Sequence, residues 1–187
     1  MHDTTHPMKQ TRRRPRAALL QTAAVTLLAL CASACQPRQQ NVTGDGPEMS
    51  AFVELMMPKA IEIQHYLTRP RDFSGDGSAD GVEVVLVARD SFGDSVKCVG
   101  TFHFELYTMR LASGDKLGER VAFWPVTINS DKRMVQYWDR VTRSYLFKLQ
   151  LSDGRLAPGR YVLTAQLITP AGSKLYDTYE FAYKTGQ

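Results

Sequence analysis

Phe102-His103-Phe104-Glu105-Leu106-Tyr107 places Phe102, Phe104 and Leu106 at every second position, with His103 and Glu105 between them. That period of two decides the fold. Successive side chains of a strand point to opposite faces, so one face of this segment is apolar and bound for a core while the other meets water. The same rhythm recurs outward in both directions. Downstream, Tyr145, Phe147, Leu149 and Leu151 alternate with Leu146, Lys148 and Gln150; then come Tyr161, Leu163, Ala165 and Leu167, and finally Leu175, Tyr179, Phe181 and Tyr183, with Asp177 intruding. Upstream, Ile61, Ile63 and Leu67 alternate with Glu62, Gln64 and Tyr66, and Val82 to Val87 is a nearly continuous apolar, β-branched run suited to a central strand.

Turn signals separate these runs: Asp90-Ser91-Phe92-Gly93-Asp94, Ser113-Gly114-Asp115, Asn129-Ser130-Asp131, Ser152-Asp153-Gly154 and Pro170-Ala171-Gly172. Short strands at this spacing, with no long helix between them, predict an all-β domain built as an antiparallel β-sandwich. One short helix is expected before it, over Glu48 to Met57, with Phe52, Leu55 and Met56 on one side and Pro58 ending it. The segment Val121 to Val141 reads as two further strands around the Asn129 turn, carrying Trp124 and Trp138. Large aromatics dominate cores, which gives both tryptophans a packing role. Exposed, they would form a ligand-binding platform for a carbohydrate or a peptide. The tail, with Pro158-Gly159-Arg160-Tyr161 leading a strand, a turn at Pro170 to Gly172 and an aromatic strand after it, resembles the last two strands of Ig-like and transthyretin-like modules. The resemblance spans about thirty residues and bears on fold alone.

The N-terminus has a different grammar. Arg12, Arg13, Arg14 and Arg16 precede an apolar run from Ala17 to Leu30, followed by Ala32-Ser33-Ala34-Cys35. A basic region, a short apolar stretch and small residues before a cut form a secretory signal. The run falls short of the roughly 20 apolar residues a spanning helix needs. Ala32-Ser33-Ala34-Cys35 resembles the lipobox of bacterial lipoproteins, with Ala32 where Leu is commonest. The resemblance implies cleavage before Cys35, lipid (diacylglyceryl and a fatty acid such as palmitate) on its thiol, and a place in the cell envelope. Gln36 follows the cysteine where, in that family, Asp retains a protein at the inner membrane, so the outer membrane is implied in a cell with two. The chain thus divides into a signal peptide (1–34), a lipidated cysteine with a flexible tether (35–47) and the β-sandwich (48–187). Ordinary secretion with cleavage after Ala34 is the alternative.

Removing the signal changes the charge. Of 23 basic and 19 acidic side chains, five and one lie in residues 1–34, which leaves 18 of each beyond them. A formally neutral domain lacks the net basic surface of a nucleic-acid binder. Of the three cysteines, Cys31 leaves with the signal and Cys35 takes lipid, so Cys98 has no disulfide partner in the chain.

One stretch has the pattern of an ion site. Counting from Asp72, oxygen-bearing side chains fall at places 1 (Asp72), 3 (Ser74), 5 (Asp76), 9 (Asp80) and 12 (Glu83), with Gly77 at place 6 and the Ser78 carbonyl at place 7. Calcium takes roughly six to eight oxygens at about 2.3–2.6 Å, and alternate residues of a tight loop can point inward to supply them. The stretch resembles EF-hand-like and thrombospondin type 3 calcium loops, which implies calcium as a stabilising cofactor. Ser74 stands where Asp or Asn is usual, and Val82 onward reads as a strand where those loops continue into a helix. A plain Gly/Asp-rich connection has the same composition. His65 and His103 are each alone on a strand, and no nucleophile elbow, zinc helix or phosphate loop is present. The expectation is therefore a non-catalytic envelope module, structural or binding, whose partners are the membrane through Cys35 and an envelope protein or glycan. The alternatives are a carbohydrate or peptide binder using the tryptophans, and a hydrolase using the carboxylates of Asp72 to Glu83.

Overall fold

The computed structural model describes residues 46–112, 114–152 and 154–184. The signal segment, Cys35 and nearly all of the tether lie outside them. Helix α1 (Pro47–Met56) has proline in its first turn, where no amide partner is needed, and Pro58 follows its end. Nine strands and a second helix follow: β1 (Ala60–Ile63), β2 (Arg69–Arg71), β3 (Gly81–Arg89), β4 (Gly100–Met109), β5 (Leu117–Ile128), α2 (Asp131–Tyr137), β6 (Trp138–Asp139), β7 (Ser144–Gln150), β8 (Gly159–Ile168) and β9 (Lys174–Tyr183).

Every pairing is antiparallel, in two sheets. One runs β1-β3-β7-β6, with β2 also on β3; the other runs β5-β4-β8-β9. The alternating positions do what their period requires. Phe102, Phe104 and Leu106 of β4 and Leu163, Ala165 and Leu167 of β8 are buried with Val82, Val84 and Leu86 of β3 and Tyr145, Phe147 and Leu149 of β7. Rings interlock across the two layers: Phe147 lies 4.7 Å from Phe104 and 5.1 Å from Phe102, centre to centre. The chain is thus the all-β sandwich that the period of two predicts.

At one margin the two sheets are clasped together. The Asp177 carboxylate, on the inward face of β9, accepts the Ile63 amide of β1 at 2.6 Å. The polar residue that interrupts β9's apolar series is the link. At the opposite margin β5 is an edge strand, and Pro125 sits in it, where an edge tolerates a missing donor. A register shift between Leu106 and Tyr107 lets Val121 stand out of the ladder as a bulge.

Two expectations need correcting. The strand expected over Ile61 to Leu67 stops at Ile63, because the Gln64 carbonyl accepts the Leu67 and Thr68 amides and turns the chain. Buried Thr68 then fills the gap between β1 and β2 by accepting the Val85 amide at 3.1 Å. The second strand expected before Val141 is a helix. Ser130 caps α2 by accepting the Arg133 amide, Asp131 lies in its first turn, and only Trp138–Asp139 pair as strand.

Candidate functional site

The loop between β2 and β3 is organised by two carboxylates that face backbone. Asp72 accepts the amides of Gly75 (2.6 Å), Gly77 (2.7 Å) and Asp76 (3.3 Å), and the Ser74 hydroxyl. Positive φ angles of 79° at Gly75 and 88° at Gly77 let the chain curl around it. The Gly77 amide, with those of Gly75 and Asp76 behind it, holds the Asp72 carboxyl below its ordinary range. Asp80 is buried and accepts the Phe73 amide at 2.7 Å, the Ser74 amide at 3.1 Å and the Gln150 side-chain amide at 3.0 Å. These bonds, the Phe73 amide foremost, lower its pKa as well.

The remaining residues of the pattern turn to other partners. Asp76 accepts the Ser78 amide and forms an ion pair with Arg155 at 2.9 Å. Ser74 bonds Asp72, and Ser78 follows the turn at Gly77. Glu83 lies on β3, opposite Arg69 of β2, and both Arg69 and Arg71 approach it, at 3.6 and 3.9 Å. Behind the loop, Gly81 passes so close to the Leu149 carbonyl and the Phe73 ring that a Cβ would collide with both. The Tyr183 hydroxyl accepts the Ala79 amide at 3.1 Å and ties the loop to β9.

As arranged, these groups point to amides and guanidinium groups rather than to one common point. An ion needs carboxylate oxygens converging on one point; here they accept amides and guanidinium groups, and among the described residues no three His, Cys, Asp or Glu side chains are grouped to hold a metal. What the loop does achieve is a connection whose backbone donors mostly find acceptors within it, with the Ala79 amide bonded to Tyr183. Gln150, Arg155, Arg69 and Arg71, which complete it, lie outside the twelve-residue pattern and carry no local signal.

The two tryptophans are both half-buried, on different errands. Trp124 packs against the core from β5 and donates its indole N–H to the Gln150 carbonyl at 2.7 Å. Trp138 packs edge-on against Tyr145 at 5.0 Å, and its outer side lines an open groove of about 600 Å³ with Met56, Ser95, Val96, Lys97, Arg140 and Arg143. The Lys97 ammonium stands 5.7 Å above the indole ring, and Arg143 donates to the Ser95 carbonyl at 3.2 Å. The groove's basic residues were not evident as a cluster, because Lys97 is far from Arg140 and Arg143 in the chain.

The lone cysteine and the two histidines of the domain have aromatic or tyrosine neighbours. Cys98 is buried, its amide donates to the Tyr145 hydroxyl at 2.6 Å, and burial pushes its thiol up to about 11. His65 stacks on Tyr179 at 4.6 Å, and His103 meets Phe123 edge-on at 5.3 Å. No helix among the described residues is long and apolar enough to cross a membrane. Comparison with family profiles, curated proteins and solved structures finds no match to this chain.

Proposed function

We propose that this chain is an exported cell-envelope lipoprotein, cut before Cys35 and anchored by lipid on that thiol, at the outer membrane of a cell that has two. Its β-sandwich then serves as a non-catalytic structural or binding module. The observation that carries this reading is the order Arg12–Arg16, Ala17–Leu30, Ala32-Ser33-Ala34-Cys35. A single acyl chain binds a membrane marginally, and the two or three chains of lipoprotein modification hold firmly. The test is the mass of the mature N-terminus after detergent extraction of envelopes. A diacylglyceryl-modified Cys35, abolished by Cys35→Ser, is expected. An unmodified terminus would mean plain secretion and end the lipoprotein reading.

For the module itself, the binding form of the reading has one specific support. Both tryptophans pack on the core, but Trp138 also presents part of its ring to a groove, whereas Trp124 has its indole N–H bonded to the Gln150 carbonyl. A hydrolase would need a carboxylate free to act as acid or base. Asp72, Asp80 and Asp76 instead accept amides or Arg155, and Glu83 faces Arg69 and Arg71 at 3.6 and 3.9 Å.

A further inference from the structure

Helix α1 presents an apolar side that nothing in its own unit covers. Phe52, Val53, Leu55 and Met56 are 56%, 48%, 47% and 57% exposed. At 100° per residue Leu55, Phe52, Met56 and Val53 fall, in that order, within one half of the helix surface, and Ser50 and Glu54 fall on the other. Glu54 is paired with Lys59 at 3.3 Å, away from the apolar side. Met56 also lines the groove beside Trp138, so the apolar strip continues into a basic one. Lys97, Arg140 and Arg143 form no ion pair among the described residues, although the chain beyond residue 34 carries equal numbers of acidic and basic groups. The nearest carboxylate in the chain, Asp139, is turned to the amides of Val141 and Thr142. Val141, between the two arginines, is 91% exposed.

We propose that α1 and this basic groove form one docking surface for a bilayer containing anionic phospholipid, with the apolar side of α1 in the headgroup region and the three cations on lipid phosphates. An apolar helix side flanked by lysine or arginine and a tryptophan is the pattern of an interfacial element. The proposal rests on the lipid anchor for proximity. Ten residues lie between Cys35 and Gly46, a span that reaches at most about 40 Å, so the surface is held within range of the membrane to which the thiol is fixed. Cations close to an anionic surface gain from its potential, and that gain falls away with salt.

The test uses the full-length lipidated protein in phosphatidylethanolamine vesicles with a quarter phosphatidylglycerol, against pure phosphatidylcholine vesicles. In a Trp124→Phe background Trp138 is the sole tryptophan. Its fluorescence should be quenched by a lipid-borne nitroxide in the anionic vesicles only. The quenching should disappear in 0.5 M salt or with Lys97, Arg140 and Arg143 all changed to Gln, which weakens the contact on the order of 100-fold. Phe52→Ser with Leu55→Ser should abolish it as well. Co-flotation with vesicles at high salt reports the anchor separately, so its loss defeats the lipoprotein reading, and its persistence without quenching defeats only the docking surface. Equal quenching in both vesicle types, or protection of the groove by an acidic polysaccharide with none by lipid, also overturns the proposal. Should Trp124→Phe misfold, amide exchange over residues 47–57 of the unaltered chain reads the same contact, slowed by anionic vesicles and unchanged by neutral ones.

Discussion

At the scale of single residues, most buried polar atoms have partners, Gln64 Nε2 being an exception, and a match predicts what its loss would do. Tyr145 is the clearest case. Its hydroxyl accepts the Cys98 amide and donates to the Cys98 carbonyl at 3.2 Å, fixing the loop that crosses from one sheet to the other. Tyr145→Phe leaves both groups buried without a partner and should cost about 1–3 kcal/mol by urea unfolding. The same substitution should speed reaction of Cys98 with a thiol reagent at pH 8, which in the native protein is slow because a thiol held near 11 carries almost no thiolate. The β2–β3 loop makes a pH prediction. Asp72 and Asp80 have folded-state pKa values below their ordinary 3.8. A depressed carboxyl contributes stability in full above its unfolded pKa and loses it as pH falls through the folded one. Protection of the Phe73 and Gly77 amides, followed by hydrogen exchange, should therefore hold down to about pH 4 and decline below it. Millimolar calcium should leave the melting temperature unchanged; a rise that Asp76→Ala removes would show the loop reopening around an ion.

At the scale of elements, legibility followed the strength of local periodicity. Strands β4, β7, β8 and β9 are readable because each buries one face and the period of two is the imprint of that burial, and β3 because, buried on both faces, it is a continuous apolar run. Helix α2 was misread as a strand. Its signal was there in Ser130-Asp131 followed by Met134, Tyr137 and Trp138 at helical spacing, but aromatics favour strands and hid it. Ser130→Ala should cost about 0.5–2 kcal/mol and melt α2 first, seen as lost helical circular dichroism. Strand β2 was invisible, since Arg69-Pro70-Arg71 has no apolar period and is held by pairing to β3. For the candidate site, the sequence exposed the loop's glycines and acids but not their partners. Whether Asp72 faces an ion or an amide is set by the path of the chain between Ser74 and Gly77, which spacing alone does not fix. The groove is the extreme case, assembled from three separate segments that only the tertiary fold brings together.

At the scale of the whole molecule, one layer of aromatic and aliphatic side chains between two sheets carries the stability, with no disulfide among the described residues and Cys98 free. Phe147 touches Phe102, Phe104, Tyr137 and Tyr145, so it belongs to both layers at once. Phe147→Ala should destabilise the domain by about 3–5 kcal/mol, and probes of both sheets should report a single shared transition in thermal or urea melts.

The clasp between Asp177 and Ile63 has a consequence for biogenesis. It joins residues 114 apart in sequence, nearly the first strand to the last. Long-range pairings of this kind form slowly, after the intervening chain has been brought together. A nascent chain that lacks β9 cannot close that margin of the sandwich. If the chain is exported unfolded, as the proposed signal would have it, a domain whose closure waits for β9 stays threadable until that strand is made. Asp177→Ala should thus loosen the seam, whereas truncation before β9 would leave a chain that never closes and, if exported as proposed, is exposed to proteases of that compartment.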